Sequence, residues 1–444
     1  MTKYTPTFFA LFFTLTAFSQ NWTSLGQGLN KQVETLLPDT ATNLLYAGGE
    51  FDSSGTIQLN HVGFWDGVQW NALGSGFDGL VMALAIYNGE LYATGNFTHS
   101  DTSSLNYIAK WDGANWVNVG GGLNGTGLSL FNFNGDLYAG GNFTRAGNQP
   151  CKYIAKWDGV SWQSLDTNIV STNSGFTLMS IGSFQNELVI GGNFIAEGNA
   201  NNISILKSGI WQPLSTGTNS WITSMQELNN ELIVTGFFNQ AGSVASICIA
   251  KWNGSSWLPF PGLASSLVLC NTIINNNLVF GGYSNSFLNG SISSHCIANY
   301  NLTNQNWSGI STGMTNSVNA LATMGNVLYA GGQFDTAGAF SIKNIAKIDA
   351  TTLSIKGNLQ VNTQILIYPN PAADVLNVKF TLQQSAPVKL ALYDITGRNI
   401  LTTDPINKSD GNITLNTTAI PAGIYFLKLE SGNNKVVRKV AIEK

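Results

Sequence analysis

A phrase that recurs seven times constrains the possible folds of this chain more than any other feature of its sequence. Its clearest copy reads Leu-Tyr-Ala-Gly-Gly-Asn-Phe over residues 137–143, and Ile-Ala-Lys-Trp-Asp-Gly follows over residues 154–159. A fixed period of nearly fifty residues is typical of four-stranded propeller blades. The second Gly of the phrase recurs 44 to 51 residues apart, at Gly49, Gly95, Gly141, Gly192, Gly236, Gly282 and Gly332.

Each repeat divides into four segments with the pattern of strands. In the second repeat an apolar run over residues 81–87 ends at Asn88-Gly89, which is a strong signal for a two-residue hairpin. Further strand-like segments follow at 90–97, 107–111 and 116–119. Pairs of Trp residues flank the later turn of most repeats, and we expect them to fill space between blades. The sequence therefore predicts an all-β fold with a seven-bladed β-propeller.

The two ends of the repeat region complement each other. The seventh repeat contains Ile345-Ala346-Lys347 but lacks the closing Trp strand, whereas residues 21–28 near the N-terminus copy that strand. We therefore predict that the N-terminal segment supplies the outermost strand of the last blade. This arrangement closes the ring and removes an exposed sheet edge.

The first residues have the pattern of a targeting segment. A positive charge at Lys3 precedes the apolar run 8–18, and Ala17-Phe18-Ser19 has the spacing of a signal-peptidase site. We expect a cleaved signal peptide over 1–19, a propeller over 20–353 and a linker over 354–366. The apolar run is too short to cross a membrane, and we predict no transmembrane segment.

Composition excludes some classes of partner. Only 10% of the residues are charged, the net charge is −4, and no long basic run occurs, so we expect no nucleic-acid binding.

The chain has four cysteines, of which Cys248 and Cys296 occupy the same position in consecutive repeats. Small buried residues are the favoured interpretation, although export would permit disulfides and their pairing stays open. Cys-x-x-Cys is absent, so zinc and redox motifs have no support.

Residues 367–444 have a different pattern. Ile367-Tyr368-Pro369-Asn370-Pro371 opens this segment, Tyr393-Asp394 and Gly397-Arg398 follow, and Pro-Ala-Gly-Ile-Tyr-Phe-Leu-Lys-Leu occupies residues 421–429 before a basic end. Short strand-like runs separated by Pro, Gly and Asn predict a small Ig-like β-sandwich.

These C-terminal motifs resemble the type A C-terminal sorting domain of the type IX secretion system of Bacteroidetes-type bacteria. The resemblance implies recognition of residues 367–444 by the outer-membrane secretion machinery, followed by cleavage and by release or attachment to a surface glycolipid. The expected location is therefore outside the cell or on the outer-membrane surface, after export through the periplasm. A generic Ig-like adhesion module is the alternative.

The repeat itself resembles kelch-like and galactose-oxidase-like propellers in its Gly-Gly and spaced Trp. That resemblance implies the fold alone, because nothing here matches the Tyr and His copper ligands of the oxidases. Gly-Gly precedes no helix that could hold a phosphate, and we expect it to allow close packing beside a bulky Trp.

Few residues are candidates for chemistry. The three histidines, His61, His99 and His295, fall in loops of three different repeats, so solvated side chains are favoured over a metal site. Asp52 and Asp335 follow the repeated Phe on the face of the long loops, but neither has an evident partner carboxylate for acid–base catalysis. A third set recurs in the Trp-Asp-Gly turns, where a turn role is favoured over a calcium or ligand role: Asp66, Asp112 and Asp158.

Trp221 departs from the repeat. It is the one Trp outside the fourth-strand and Trp-Asp-Gly positions, and it stands where other repeats have Gln32, Leu80 or Ser317. We predict that it lies near the central mouth on the loop face. Core packing and stacking on a sugar or partner chain are its two interpretations.

Function is expected in the loops where the copies differ. We predict a monomeric, exported, non-catalytic propeller that binds a glycan or protein partner through its loop face. No catalytic, cofactor-binding or metal-binding residue and no cofactor is predicted. The alternatives are an extracellular polysaccharide-degrading enzyme on the same ring and a purely structural or adhesive surface protein.

Overall fold

The computed structural model describes residues 21–165, 169–171, 177–195, 201–261, 267–283, 295–353, 364–394, 398–431 and 434–443. The expected signal peptide over 1–19 lies outside these residues. The chain divides into two compact units, Met1–Ile355 and Lys356–Lys444. In the part of the chain that the structure describes, no helix has the length and apolar character needed to cross a membrane.

The first unit is a seven-bladed β-propeller, as the sequence predicts. The innermost strands are Val33–Asp39, Val81–Tyr87, Gly127–Phe133, Leu178–Phe184, Ile222–Leu228, Val268–Ile274 and Val318–Met324. The second strands are Leu44–Gly49, Glu90–Gly95, Asp136–Gly141, Glu187–Ile195, Glu231–Gly236, Asn277–Gly282 and Val327–Gly332. The third strands are Val62–Trp65, Ile108–Trp111, Ile154–Trp157, Asn201–Lys207, Ile249–Trp252, Ile297–Asn301 and Ile345–Asp349. The fourth strands are Trp70–Ala72, Trp116–Asn118, Trp162–Ser164, Ile210–Pro213, Trp257–Pro259, Asn306–Gly309 and Thr23–Ser24.

Short elements complete this unit. Val170–Ser171 pairs with the second strand of blade 4, and a 3₁₀ turn, Ala350–Leu353, follows the last blade. Small hairpins of two-residue strands follow the second strand in five blades of the described structure. They are Ser53–Ser54 with Ile57–Gln58, His99–Ser100 with Ser103–Ser104, Arg145–Ala146 with Gln149–Pro150, Gln240–Ala241 with Val244–Ala245, and Thr336–Ala337 with Phe340–Ser341.

The N-terminal segment closes the ring, as predicted. Thr23 pairs with Lys347 and Ser24 pairs with Ala346, so this strand completes the sheet of blade 7. The preceding Trp22 is only 1% exposed and packs into the core of that blade. Closure joins segments that lie more than 300 residues apart in the chain.

The fourth-strand Trp side chains join neighbouring blades, which confirms the packing role expected for them. In five blades of the described structure the indole N–H donates to a carbonyl just after the fourth strand of the preceding blade. The bonds are 2.6–3.0 Å long and run from Trp70 to Leu25, Trp116 to Leu73, Trp162 to Val119, Trp257 to Leu214 and Trp307 to Pro261.

The Gly-Gly pair is needed for close packing, but not against Trp as expected. A Cβ on Gly191 would come within 3.0 Å of Ile222, the first residue of the next innermost strand, and the first Gly of blades 1, 3, 6 and 7 meets an aliphatic residue in the same way. A Cβ on Gly236 would come closer still, to 1.9 Å, to the carbonyl oxygen of Trp221 in its own blade. The sequence did not indicate the contact of the first Gly, because the aliphatic residue that it meets belongs to the following repeat.

All four cysteines are buried and free, which confirms the interpretation as small core residues. Burial raises the pKa of the Cys248 and Cys296 thiols to about 11. Thiols with raised pKa values in apolar surroundings are poor nucleophiles.

The second unit is a curled β-sandwich consistent with an Ig-like domain. Its first strand begins at Gln364, inside the segment expected to be a linker. The long strand Val375–Asp394 pairs with four of the others, and its side chains Leu376, Val378 and Leu390 are fully buried. The strands are Gln364–Tyr368, Val375–Asp394, Asn399–Thr402, Ile406–Asn416, Gly423–Ser431 and Asn434–Ile442.

Candidate functional site at the mouth of the ring

The loop face of the propeller has a ring of paired positions around the central mouth. In every blade the residue after the second Gly donates its backbone N–H to the residue that precedes the innermost strand, over 2.8–3.0 Å. We call these fourteen residues the mouth ring. The pairs are Glu50 with Gln32, Asn96 with Leu80, Asn142 with Thr126, Asn193 with Thr177, Phe237 with Trp221, Tyr283 with Leu267, and Gln333 with Ser317.

One sector of the mouth ring is aromatic. Blade 5 contributes Trp221 and Phe237, and blade 6 contributes Tyr283 at the position of Phe237. The side chains of Phe237 and Tyr283 are 55% and 48% exposed, and Trp221 is partly buried. We call these three residues the aromatic arc. Large aromatic residues with this exposure at one site are a feature of binding surfaces.

Trp221 lies where the sequence predicted, on the loop face at the mouth, and its role in binding stays a prediction. Phe237 and Tyr283 were missed in the sequence. Their signal was present, because the position after the second Gly is Glu, Asn or Gln in the other five repeats. Only a comparison of that position across the repeats, rather than of Trp residues alone, would have found them.

A polar cavity of about 400 Å³ lies beside the mouth at the seam between blades 7 and 1. Gln32 and Glu50 of blade 1 and Gln333 of blade 7 belong both to its lining and to the mouth ring. Asp335 and Lys31 line it as well. We call this cavity the seam cavity.

The seam cavity is acidic. Lys31 Nζ lies 2.9 Å from Asp52 Oδ2, and this hydrogen bond and charge raise the pKa of the lysine. Asp52 therefore has a cation as its partner, which the sequence did not suggest. Glu50 and Asp335 line the cavity, and the charge of Glu50 also raises the pKa of Lys31.

Every innermost strand has a β-bulge at its second residue. The register shifts there in all seven blades, for example between Val33 and Thr35 in blade 1. Bulges change the direction of one side chain and recur next to functional sites. The residues skipped by the pairing are Glu34, Met82, Leu128, Met179, Thr223, Leu269 and Asn319.

Glu34 is the charged member of this bulge set. Asn319 Nδ2 donates to Glu34 Oε2 over 3.2 Å, which links the bulges of blades 7 and 1. Burial raises the pKa of Glu34 to about 7; the bond from Asn319 opposes this shift, and the charge of Glu50 adds to it. The sequence offered one signal, a Glu inside an otherwise largely uncharged strand.

The three histidines do not come together. They belong to blades 1, 2 and 6, and each contacts local groups: His61 Nδ1 lies 3.2 Å from the Gly49 carbonyl, and His99 Nδ1 lies 3.3 Å from Asp78 Oδ2. The carbonyl of His295 accepts from the backbone N–H of Met314. Within the described ranges no three His, Cys, Asp or Glu residues form a group that could hold a metal ion.

The Trp-Asp-Gly carboxylates serve their turns, as the sequence favoured. Asp66, Asp112 and Asp158 each accept two backbone N–H groups from the following residues at 2.7–2.9 Å. These hydrogen bonds hold the pKa of each carboxyl below its ordinary value. The three turns lie on three different blades, away from the mouth ring.

Comparison with known families identifies the family of the C-terminal unit. Residues 366–443 match the family described as a secretion system C-terminal sorting domain. This segment is a C-terminal sorting domain. Such a domain of the type IX secretion system indicates export, with the protein secreted or attached to the outer-membrane surface. The sorting domain also implies handling by the type IX machinery.

A second family match lies in the propeller. Residues 11–115 match the Rax2 C-terminal beta propeller domain, which agrees with the observed blades. A search of curated proteins finds no match to the chain.

Three solved structures illustrate a distant similarity. The computationally designed Ika8 protein is 14% identical, with 74% of this chain and 99% of that chain covered and a TM-score of 0.45. A chain of the mitotic checkpoint complex is 12% identical, with 78% and 98% covered and a TM-score of 0.46. Latent PorU from Porphyromonas gingivalis is 10% identical, with 69% and 31% covered and a TM-score of 0.16. We draw no functional conclusion from similarities of this size.

Proposed function

We propose that this protein is an exported binding module whose propeller binds a glycan at the mouth of its loop face. The observation that carries the proposal is the aromatic arc, in which Trp221, Phe237 and Tyr283 stand on consecutive blades in a ring that is otherwise largely polar. The sorting domain sends the propeller to the cell exterior, where glycans are available as ligands.

The chemistry of the arc suits a sugar. An aromatic ring offers a flat apolar face that can cover the C–H face of a pyranose, while neighbouring polar side chains pair with its hydroxyls. Polar side chains predominate in the rest of the mouth ring. The same surface could hold a protein loop, which is the alternative that the experiment must separate.

A polysaccharide-degrading enzyme is the second candidate, and Glu34 is the observation that favours it. A carboxyl with a pKa of about 7 could serve as a general acid near neutral pH. Its neighbour Glu50 is the potential second carboxylate. Cleavage of a bound glycan, lost in Glu34→Gln while binding persists, would support this candidate over a binding module.

The test is binding of the purified full chain to a glycan array and a protein array. We expect binding to glycans, with loss of signal in Trp221→Ala. Phe340→Ala is the matched control, because Phe340 is 44% exposed but lies in a peripheral hairpin of blade 7. Binding only to proteins would refute the glycan ligand, and attachment to surfaces with neither array positive would favour an adhesive protein.

A further inference from the structure

We propose that the seam cavity is a second sugar subsite, continuous with the aromatic arc, and that it selects neutral oligosaccharides over anionic ones. This inference rests on the proposed function and specifies its ligand class. The ligand would extend along four consecutive blades, with its stacked end on blades 5 and 6 and its hydrogen-bonded end between blades 7 and 1.

Continuity follows from the repeat. Tyr283, Gln333 and Glu50 occupy the same mouth-ring position in blades 6, 7 and 1, and the latter two line the cavity. A chain of sugars that leaves the ring of Tyr283 therefore meets Gln333 next and the cavity after it. A volume of about 400 Å³ is in the range of small-molecule sites.

Six of the polar side chains that line the cavity fall into two groups. Asn30 accepts the backbone N–H groups of Asp52 and Ser53, and Asn344 bonds the backbone of Leu29 and Phe334, so these amides hold the walls together. Side chains of the second group make no hydrogen bond within the described part of the chain. They are Gln32, Glu50, Gln333 and Asp335.

This second group matches hydroxyl groups. The two amides both donate and accept, and the two carboxylates accept only, whereas a sugar hydroxyl can do either. A sulfate or carboxylate on the ligand can only accept, so it would leave Glu50 and Asp335 without donors. It would also be repelled by them, since the one lysine lining the cavity in the described structure, Lys31, already pairs with Asp52.

The experiment is isothermal titration calorimetry of the full chain with linear probes. Cellohexaose, maltohexaose and mannohexaose are compared with the corresponding trioses and with hexagalacturonate. We expect at least one neutral hexaose to bind about 10-fold or more tightly than its triose, because only the longer chain reaches both subsites, and we expect hexagalacturonate not to bind.

Cavity variants then test the subsite. Gln333→Ala should remove most of the advantage of the hexaose while leaving triose affinity unchanged. Asn115→Ala, at an exposed position in the Trp-Asp-Gly turn of blade 2 and away from the mouth ring, should change neither. The double variant Glu50→Gln with Asp335→Asn should gain binding of hexagalacturonate. Since these side chains are exposed, unchanged thermal unfolding serves as the folding control.

The outcomes separate this inference from the proposed function. Equal affinity for hexaose and triose, with binding still lost in Trp221→Ala, would refute the second subsite and leave the glycan-binding arc intact. Tighter binding of hexagalacturonate than of the neutral probes would refute the charge selection. If no neutral probe binds while wild type still binds glycans on the array, this inference fails and the proposed function stands.

Discussion

The indole N–H of Trp70 in blade 1 donates a 3.0 Å hydrogen bond to the backbone carbonyl of Leu25, which follows the N-terminal strand of blade 7. The same bond recurs between other neighbouring blades, but here it joins the two ends of the ring. A single side chain therefore links the first complete blade to the segment that completes the last one.

Trp70→Phe should destabilise the propeller by about 1 kcal/mol, because the buried Leu25 carbonyl loses the indole donor and keeps only the Gly28 N–H. Calorimetric unfolding of the full chain measures the change. Trp65→Phe is the matched control. The ring of Trp65 is also buried and lies 5.8 Å from that of Trp70, but this variant keeps the hydrogen bond from Trp70 to Leu25. Equal destabilisation by both variants would show that the hydrogen bond is not what matters.

Trp22→Ala should destabilise the ring by about 3–5 kcal/mol, the usual cost of truncating a buried aromatic side chain. The N-terminal strand is short, so loss of its anchor should also expose the edge strand Ile345–Asp349 and promote aggregation. Thermal unfolding with light scattering measures both effects. Val68→Ala, at a site that is 81% exposed, should change the free energy of unfolding by less than about 0.5 kcal/mol.

Gly236→Ala should destabilise the protein by more than about 2 kcal/mol, because a Cβ there has no room beside the carbonyl of Trp221. Gly182→Ala is the control on an innermost strand, since its Cβ would meet Met225 at an ordinary 3.7 Å. Urea unfolding compares the two. A well-tolerated Gly236→Ala would contradict the close approach of the two strands.

Glu34→Gln should stabilise the protein at high pH but not at low pH. Burial raises the pKa of Glu34 from 4.5 to about 7, so the fold favours the protonated carboxyl. The stability that this proton linkage contributes is fully present below pH 4.5 and is lost as the pH rises through 7. The variant should therefore gain up to about 3 kcal/mol over wild type at pH 8 and little at pH 4.

Unfolding by urea at both pH values measures this gain. Asn319→Ala provides the complementary variant, because removing the donor to Glu34 should raise the pKa further and extend the loss of stability to higher pH. The same difference between Glu34→Gln and wild type at pH 4 and pH 8 would contradict a shifted titration of this group.

The architecture was predictable because its signals are local and repeated. Asn88-Gly89 forms the expected tight turn, with positive φ at both residues. The copy of the fourth strand near the N-terminus predicted the closure of the ring, which the pairing of Thr23 with Lys347 confirms. A pattern present in seven copies also corrects for the ambiguity of any one copy.

The site was less predictable because it depends on departures from the repeat and on contacts between blades. Trp221 was visible as an unusual residue type, but Phe237 required alignment of one position across all copies. The seam cavity joins Glu50 and Gln333, which lie nearly 300 residues apart, and the bulge that presents Glu34 is a property of backbone register that the sequence does not state.

The most direct measurement of the central claim is the affinity of the full chain for the tightest-binding glycan of the array. Calorimetry should compare wild type with the triple variant Trp221→Ala, Phe237→Ala and Tyr283→Ala, and with Phe340→Ala as the control. If the aromatic arc binds the sugar, the triple variant should lose about 100-fold or more in affinity, because each lost aromatic contact costs about 1 kcal/mol or more, and the control should bind as wild type does. Unchanged affinity in a correctly folded triple variant would contradict a glycan site at the mouth of the ring.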